Sequence, residues 1–422
     1  MANSFNKEER VAFEQILEGF DDAQVLSKAV SKYSTDSTMM ERANDTIWRP
    51  QPYIAQSFNG LDQTANFTDY TQLAVPATLG FSKSVPWIMN TKELRDSLQE
   101  GRLGDSAKQK LASDINVAIM NVASDQGTLV VPVAGAAGDY DDVALCDSIM
   151  NEQGVPMFDR YLALSSRDYN GMAGNLAQAS RSFGNAKSDN AYERSLVGDV
   201  AGFKTMKLDY ANRIAAAAGG GAITIDTQVA ATNYYVPAAT STAGSGETSN
   251  VDNRYQNITV SSTASVVAGD CFTIAGVEAC HHITKQGTGE LKTFRVIEVV
   301  NGTTLKISAP IISNQGSSDV EAQYQNCIVT PNAAAAIVWL NANATSINPF
   351  WQKDALEILP GRYAVPSDAG ADVMRGTTSN GIEVVWQKFY DINTMNIKYR
   401  LDTLFGVVNK QPEMSGILLF NQ

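Results

Sequence analysis

Histidine is nearly missing from this chain. Two residues, adjacent at His281 and His282, are all that 422 positions contain. That removes most dispersed His-based constellations and leans away from a hydrolase. Cysteine is sparse too, at four (Cys146, Cys271, Cys280, Cys327). A disulfide framework belongs to small secreted domains, so reduced thiols are expected here. Charged side chains make up only 18% of the chain, 32 basic against 45 acidic, for a net −13. Such a balance argues against broad phosphate-backbone binding, which needs clustered Lys and Arg. No apolar run approaches the ~18 residues that span a bilayer, and Ala333 to Leu340 comes nearest. Met1 to Arg10 lacks an apolar run and carries Glu8 and Glu9, unlike an ordinary signal peptide. The patterns G-x-x-x-x-G-K-[ST], H-E-x-x-H and G-x-S-x-G are absent.

What is present is apolar and patterned. Hydrophobic residues make up 44% of a chain long enough for a large core, in roughly two or three domains. Phe13, Ile16, Leu17 and Phe20 form one helical stripe, with Glu14, Glu18, Asp21 and Asp22 opposite it. Residues 46 to 89 read as a long two-stranded arm, with Asn59-Gly60 and many Thr, Asn and Gln between its limbs. Ala107, Leu111, Ile115, Ala118, Ile119 and Val122 repeat at helical spacing from Ser106 to Gln126, with Asp105 at the N-cap and Gly127 at C′. A shorter helix capped by Thr91 precedes it, through Leu94 and Leu98, stopping near Gly101 or Gly104. Residues 139 to 213 alternate helix and strand. After Ala215 to Gly221 the texture becomes short strands and turns up to Pro331, with no helix expected. Val299 to Ile307 around Asn301-Gly302 predicts a hairpin with a type I′ turn. Helical texture resumes from Pro331 through Leu340, antiparallel strands follow at 383–390 and 397–405, and an apolar end closes the chain at 417–420.

Candidate chemistry is thin. Cys271, Cys280, His281 and His282 suggest a metal site, but adjacent strand residues face opposite ways and short repeated ligand spacings are missing. Gly171-Met-Ala-Gly174 imitates only part of a dinucleotide fingerprint. Asp139, Asp141 and Asp142 suit a helix N-terminus better than a calcium loop. No catalytic residue, cofactor or metal ligand is assigned.

Asn44-Asp45-Thr46-Ile47-Trp48-Arg49-Pro50, after the acidic helix, looks like the start of a tailed-phage major coat protein. Val251-Asp252-Asn253-Arg254-Tyr255, Gly269-Asp270, Phe272 to Val277, Thr293 to Thr303 and Asn348-Pro349-Phe350-Trp351 follow in the same order as in that family. The resemblance is to the subgroup from short-tailed enterobacterial (Salmonella-type) double-stranded-DNA phages, whose coat carries an inserted β domain.

The resemblance implies an α+β fold of the Hong Kong 97 type. Residues 1–45 would be an N-terminal arm, 46–89 the E-loop arm and 90–129 a P-domain with a spine helix. Residues 130–221 and 334–380 would form the A-domain, 222–333 an inserted β-barrel, and 381–422 P-domain strands. It implies no enzyme, but a subunit that builds hexamers and pentamers around a scaffolding protein, with a portal protein at one vertex. The virion capsid would form in the host cytoplasm, enclose DNA without sequence-specific binding, touch no membrane, and later expand. Glu14 and Glu18 become candidates for binding scaffold, and Glu247, Asp252 and Arg254 for contacts between capsomers. Coats that seal by an isopeptide bond use an E-loop lysine. The run from Gln51 to Ser82 has no Lys, leaving Lys83 at the arm's base, so no crosslink is expected. A β-rich adhesin on residues 222–333 and an α/β enzyme on 139–213 are the competing readings.

Overall fold

A computed structural model describes residues 7–23, 25–33, 46–52, 54–55, 57–64, 66–67, 70–90, 97–179, 186–217, 223–226, 235–316, 318–365, 371–379 and 381–422. The chain divides into two compact units. One takes Met1–Ile47, Pro76–Asn121 and Leu356–Val408; the other takes Trp48–Val75, Val122–Ala355 and Asn409–Gln422.

In the first unit, the strands Ser31–Lys32, Leu356–Pro360, Asn396–Asn409, Glu383–Asp391 and Asp372–Thr377 lie side by side in that order, and Phe81–Asn90 also pairs with Asn396–Asn409. Helix α1 (Lys7–Ala23) turns its apolar stripe inward. Phe13, Ile16 and Phe20 are buried, and the Phe13 ring lies 5.9 Å from that of Trp386. Trp386 and Trp87 both pack on Tyr399, at 5.9 and 5.6 Å. Glu9, in the first turn of α1, is buried and paired with Lys388 at 2.5 Å. Helix α2 (Ser97–Gln126), which belongs to this unit as far as Asn121 and to the second from Val122, is one 30-residue helix, about 45 Å long at 1.5 Å per residue. It therefore runs straight through Gly101 and Gly104, where a break was expected. A Cβ on Gly104 would sit 2.7 Å from Ile16 Cδ1, so that glycine serves close packing. The expected cap Thr91 and Leu94 lie outside the described residues.

The second unit holds a mixed sheet in the order Leu129–Pro132, Ser415–Leu419, Asn348–Gln352, Arg160–Ser165, Phe203–Leu208, Asp199–Val200. Helices α3 (Tyr140–Glu152) and α4 (Ser166–Ala179) contribute Val143, Cys146, Met150, Tyr169 and Met172 to its core, with Phe203, Phe350 and Leu418 from the strands. Helix α5 (Ala186–Arg194) follows. Asp139 caps α3, and Asp142 reaches back to the Gly138 and Asp139 amides at 3.1 and 3.2 Å, a reciprocal capping box. Gly171 and Gly174 lie inside α4, away from any strand-to-helix turn.

A five-stranded antiparallel sheet forms the β block: Gln256–Thr259, Thr304–Ser308, Gly287–Asn301, Cys271–Cys280 and Ile337–Trp339. The segment 223–226 bonds to both of its edges. Ile225 N donates to Ala335 O at 2.9 Å, and Ser261 N donates to Thr224 O at 2.8 Å, so the sheet closes into a barrel. Ile258, Phe272, Ile274, Phe294, Val296, Leu305 and Ile307 fill it.

Several expectations are corrected. Residues 337–339 are a barrel strand, not a helix; pairing with Phe272 to Ile274 overrides the helix propensity of the alanines before them. A short helix α6 (Asp319–Tyr324), boxed by Ser318 and Glu321, stands where none was expected. The hairpin at Asn301 is there, but neither Asn301 nor Gly302 has positive φ, so its turn is not type I′. Gly127 likewise keeps negative φ; a Cβ there would meet Gly416 N at 3.0 Å. Strand pairing in the arm is confined to its root, Thr46–Pro50 with Ala74–Thr78, and Phe81–Asn90 joins the first unit's sheet. Among the described residues no strand lies between 51 and 73, where few apolar anchors exist. Leu356–Pro360 and Asp372–Thr377, assigned with 334–380, belong to the first unit. Ser415–Leu419, assigned with 381–422, is an inner strand of the second.

Gly416 tests the tightest of these contacts. Its Cβ would lie 2.4 Å from Leu129 O and 2.5 Å from Phe350 Cζ. Gly416→Ala is expected to cost about 1–3 kcal/mol by overpacking, read as a lower urea midpoint at unchanged slope.

Candidate functional site: assembly surfaces

The barrel is joined to the rest of the second unit through charge. Along Gly287–Asn301, Phe294 and Val296 face the barrel core, while Thr293 and Arg295 face away, as strand alternation requires. Thr293 Oγ1 donates to Thr128 O at 2.8 Å. The Arg295 guanidinium, 1% exposed, donates to Ser124 O in the last turn of α2 and to Gly269 O at 3.3 Å. Cations favour the C-terminal end of a helix, where carbonyls are unpaired and the dipole is negative.

Next to it, Lys292 is buried against Glu413, whose Oε1 also accepts from Asn326 Nδ2 at 2.9 Å. His282 Nε2 stands 3.4 Å from the other Glu413 oxygen. Burial by itself would raise the Glu413 carboxyl; the Lys292 ammonium and His282 outweigh it and hold the group below the usual range. Burial pushes His282 down to about 4 in spite of Glu413, and it pushes Lys285 down to about 8. Lys285 Nζ donates to Gln323 O and Gln325 O at 2.9 and 3.1 Å, fixing the turn after Cys280 to the end of α6. The arm rests on that same helix: Thr71 N donates to Gln323 Oε1 at 3.2 Å, and Tyr324 OH donates to Thr71 O at 2.9 Å.

The sequence-derived candidates fall into two groups. Glu14 and Glu18 are exposed on α1, opposite its buried stripe, and Asp21 and Asp22 have no described side chain. Glu247 is exposed in a small hairpin, Thr240–Thr242 with Thr248–Asn250, in which every residue from 240 to 250 is exposed. Asp252 and Arg254 lie at its root. Arg254 pairs with Asp252 at 2.7 Å and donates to Asn409 O at 2.9 Å, leaving it 8% exposed. That commits Arg254 to its own subunit. Asn253 fastens the root with bonds to Tyr235 OH, Ala238 and Val251. Cys271 and Cys280 begin and end one strand, about 30 Å apart at ~3.3 Å per residue, and cannot share an ion. No metal-holding group of three or more His, Cys, Asp or Glu occurs among the described residues. All four cysteines are buried and free. Lys292, Arg295 and Glu413 escaped the sequence reading. Their one visible signal was two cations set inside the apolar run from Leu291 to Val300.

Buried charges thus bind separate parts of one chain together, while the hairpin 240–250 and the outer face of α1 stay exposed. A sequence model of the family described as "P22 coat protein - gene protein 5" matches residues 1–421, and the chain belongs to that family. It is a bacteriophage major capsid protein that self-assembles into the virion shell, and the family match makes its α+β fold one of the Hong Kong 97 type. Among solved structures, the CUS-3 coat protein I-domain is 38% identical across 28% of this chain and 96% of that one, with a TM-score of 0.23. A Mycobacterium phage Che8 chain is 9% identical across 93% and 90%, with a TM-score of 0.46. The acid-stable capsid of Helicobacter pylori bacteriophage KHP30 is 10% identical across 93% and 88%, with a TM-score of 0.41. TM-scores this low add nothing to the family match.

His282 gives the buried cluster around Glu413 a pH signature. The unfolded chain takes up its proton near 6.5 and the folded one near 4. Between those values the unfolded state holds more protons, so stability is complete above the upper value and drains as pH falls to the lower. At 1.36 kcal/mol per pKa unit, up to about 3 kcal/mol is at stake. His282→Gln is expected to flatten the fall in urea midpoint between pH 6.5 and pH 4 relative to wild type.

Proposed function

We propose that this coat subunit works solely by contact and catalyses no reaction. It closes hexamers and pentamers around a scaffolding protein in the host cytoplasm, with a portal protein at one vertex. The shell then admits DNA and expands without covalent crosslinking. The observation that carries the reading is the hairpin Thr240–Asn250. Its root is locked by Asn253 and Arg254, yet the hairpin itself is exposed throughout. A two-stranded ribbon is marginal alone, so one held out rigidly suits a neighbouring capsomer. Glu247 is the residue available for that contact; Asp252 and Arg254 support it from below. In this reading residues 46–89 work as the E-loop arm, α2 as the spine helix and the barrel as the insertion. An acidic chain also suits a container that encloses duplex without gripping it. Electron microscopy of the chain expressed with scaffold is expected to show closed shells, and discrete small particles would count against the proposal.

The exposed carboxylates of α1 are the proposed scaffold contact, matched to a basic helix. Exposed ion pairs are worth about 0–1 kcal/mol, so Glu14→Lys is expected to weaken scaffold binding up to about fivefold at low salt. Its melting temperature should match wild type, since the side chain is outside the core. Unaltered low-salt affinity would remove Glu14 from the contact.

Lys83, the first lysine after the arm's lysine-free run, sits in the strand Phe81–Asn90, opposite Thr403. Held in that ladder, it supports a shell sealed by noncovalent contacts. Mature particles boiled in denaturant are expected to run as one band at 45.4 kDa; a ladder of multiples is the contrary result.

A further inference from the structure

Asn-Gly pairs are the peptide positions most prone to spontaneous deamidation, because glycine has no side chain to obstruct its nitrogen as it attacks the asparagine side-chain carbonyl. This chain has Asn59-Gly60, Asn170-Gly171, Asn301-Gly302 and Asn380-Gly381. Asn380 lies outside the described residues. The other three stand in unlike surroundings.

Asn170 is inside α4, where its Oδ1 accepts from Ser195 Oγ at 2.7 Å and Lys207 Nζ at 2.8 Å. Gly171 backs so closely onto Ala137 that a Cβ would lie 2.6 Å from its carbonyl oxygen. Asn301 Oδ1 accepts from Thr303 N at 2.9 Å and Thr303 Oγ1 at 3.2 Å. Thr263 holds the adjoining peptide from the other side, with Oγ1 2.7 Å from Asn301 O and N 3.0 Å from Gly302 O. Asn59 has none of this. Residues 57 to 62 are all exposed, and its side-chain amide makes no hydrogen bond among the described residues. Only the backbone is touched, by Gln63 Nε2, at 3.3 Å from Asn59 O and 2.6 Å from Gly60 O. Gly60, at φ +104°, occupies backbone space that other residues rarely enter.

We propose that Asn59 is a modification site of this chain: of these three asparagines it is the one that deamidates, setting a new carboxylate between the exposed Phe58 and Leu61 of the arm. The Gly60 nitrogen gives its proton to solvent base and bonds to Asn59 Cγ. The Cγ–Nδ2 bond breaks as its nitrogen takes a proton back from solvent, ammonia leaves, and a succinimide closes. Solvent water then opens the ring at either carbonyl, leaving aspartate or isoaspartate. No electrons are exchanged with any partner, and the subunit becomes one charge more negative than −13. Asn301 must first release two hydrogen bonds of ordinary net strength, which slows it by roughly thirtyfold relative to Asn59.

Peptide mass spectrometry on the full-length protein, held at mildly alkaline pH and sampled over time, tests this. The Asn59 peptide is expected to gain the mass of amide-to-acid conversion while the Asn170 and Asn301 peptides keep their amides. In Asn59→Gln, whose longer side chain closes a ring far more slowly, the corresponding peptide is expected to stay unconverted with the melting temperature unchanged. Conversion at Asn170 or Asn301 that equals or precedes conversion at Asn59 overturns the proposal, and so does an Asn59 that stays intact.

Discussion

Lys292 and Arg295 are cations without water, and the second unit is organised around satisfying them. Neither could be buried at tolerable cost unless a carboxylate or a set of carbonyls met it. Lys292 meets Glu413, and Arg295 meets the last carbonyls of α2. Both cations come from one barrel strand. Glu413 and the helix-end carbonyls come from chain outside the barrel, before residue 130 and after residue 408, and Gly269 O adds an acceptor from the β block. A barrel with its own apolar core could fold in almost any attitude to the chain carrying it. Apolar contact is tolerant of small rotations, whereas two buried charges three residues apart on a strand accept one orientation. The small apolar patch beneath them, Val130, Ile214, Cys271, Ile347, Ile417 and Leu419, supplies attraction without that selectivity.

The same constraint explains why the last fourteen residues matter out of proportion to their number. Asn409 O receives Arg254, Lys410 O receives Gln51 Nε2, Pro412 O receives Thr128, and Glu413 receives Lys292 and Asn326. One short turn thus collects the hairpin root, the arm, the end of α2 and the barrel. Ser415–Leu419 then enters the sheet between Leu129–Pro132 and Asn348–Gln352, with Gly416 allowing the close approach. The exposed hairpin holds its position because Arg254, at its foot, is tied to the same turn.

Much of this architecture is legible in the sequence wherever burial imposes a period. The stripe on α1 and the apolar positions of α2 appear as patterns because each helix buries one face. Legibility fails where a distant partner decides. Ala333 to Ala336 favours a helix locally, yet Ile337 to Trp339 is claimed by Cys271–Cys280. Gly104 looks like a helix stop, but it is small because Ile16 presses against it; Gly127 does follow the helix end, and Gly416 presses against it there. Glu413 has no local signature, since its partners are Lys292, Asn326 and His282, 87 or more residues away in sequence. Arg254 was legible as a notable residue beside Asp252. Its burial was not, because Asn409 lies 155 positions on.

That distinction separates two kinds of charge in a shell protein. Buried pairs such as Lys292–Glu413 and Glu9–Lys388 fix geometry inside one subunit; breaking one leaves an unpaired buried ion, at about 3–5 kcal/mol. Exposed carboxylates such as Glu14, Glu18 and Glu247 cost little to leave unpaired and are worth little singly when paired. Assembly by many weak, reversible contacts needs the second kind, because a strong contact made in the wrong place cannot be undone. Precision then has to come from the first kind, which holds the weak contacts in fixed directions before two subunits meet. A chain poor in charge overall can meet both demands by placing strong pairs at the joints and keeping carboxylates such as Glu14, Glu18 and Glu247 exposed.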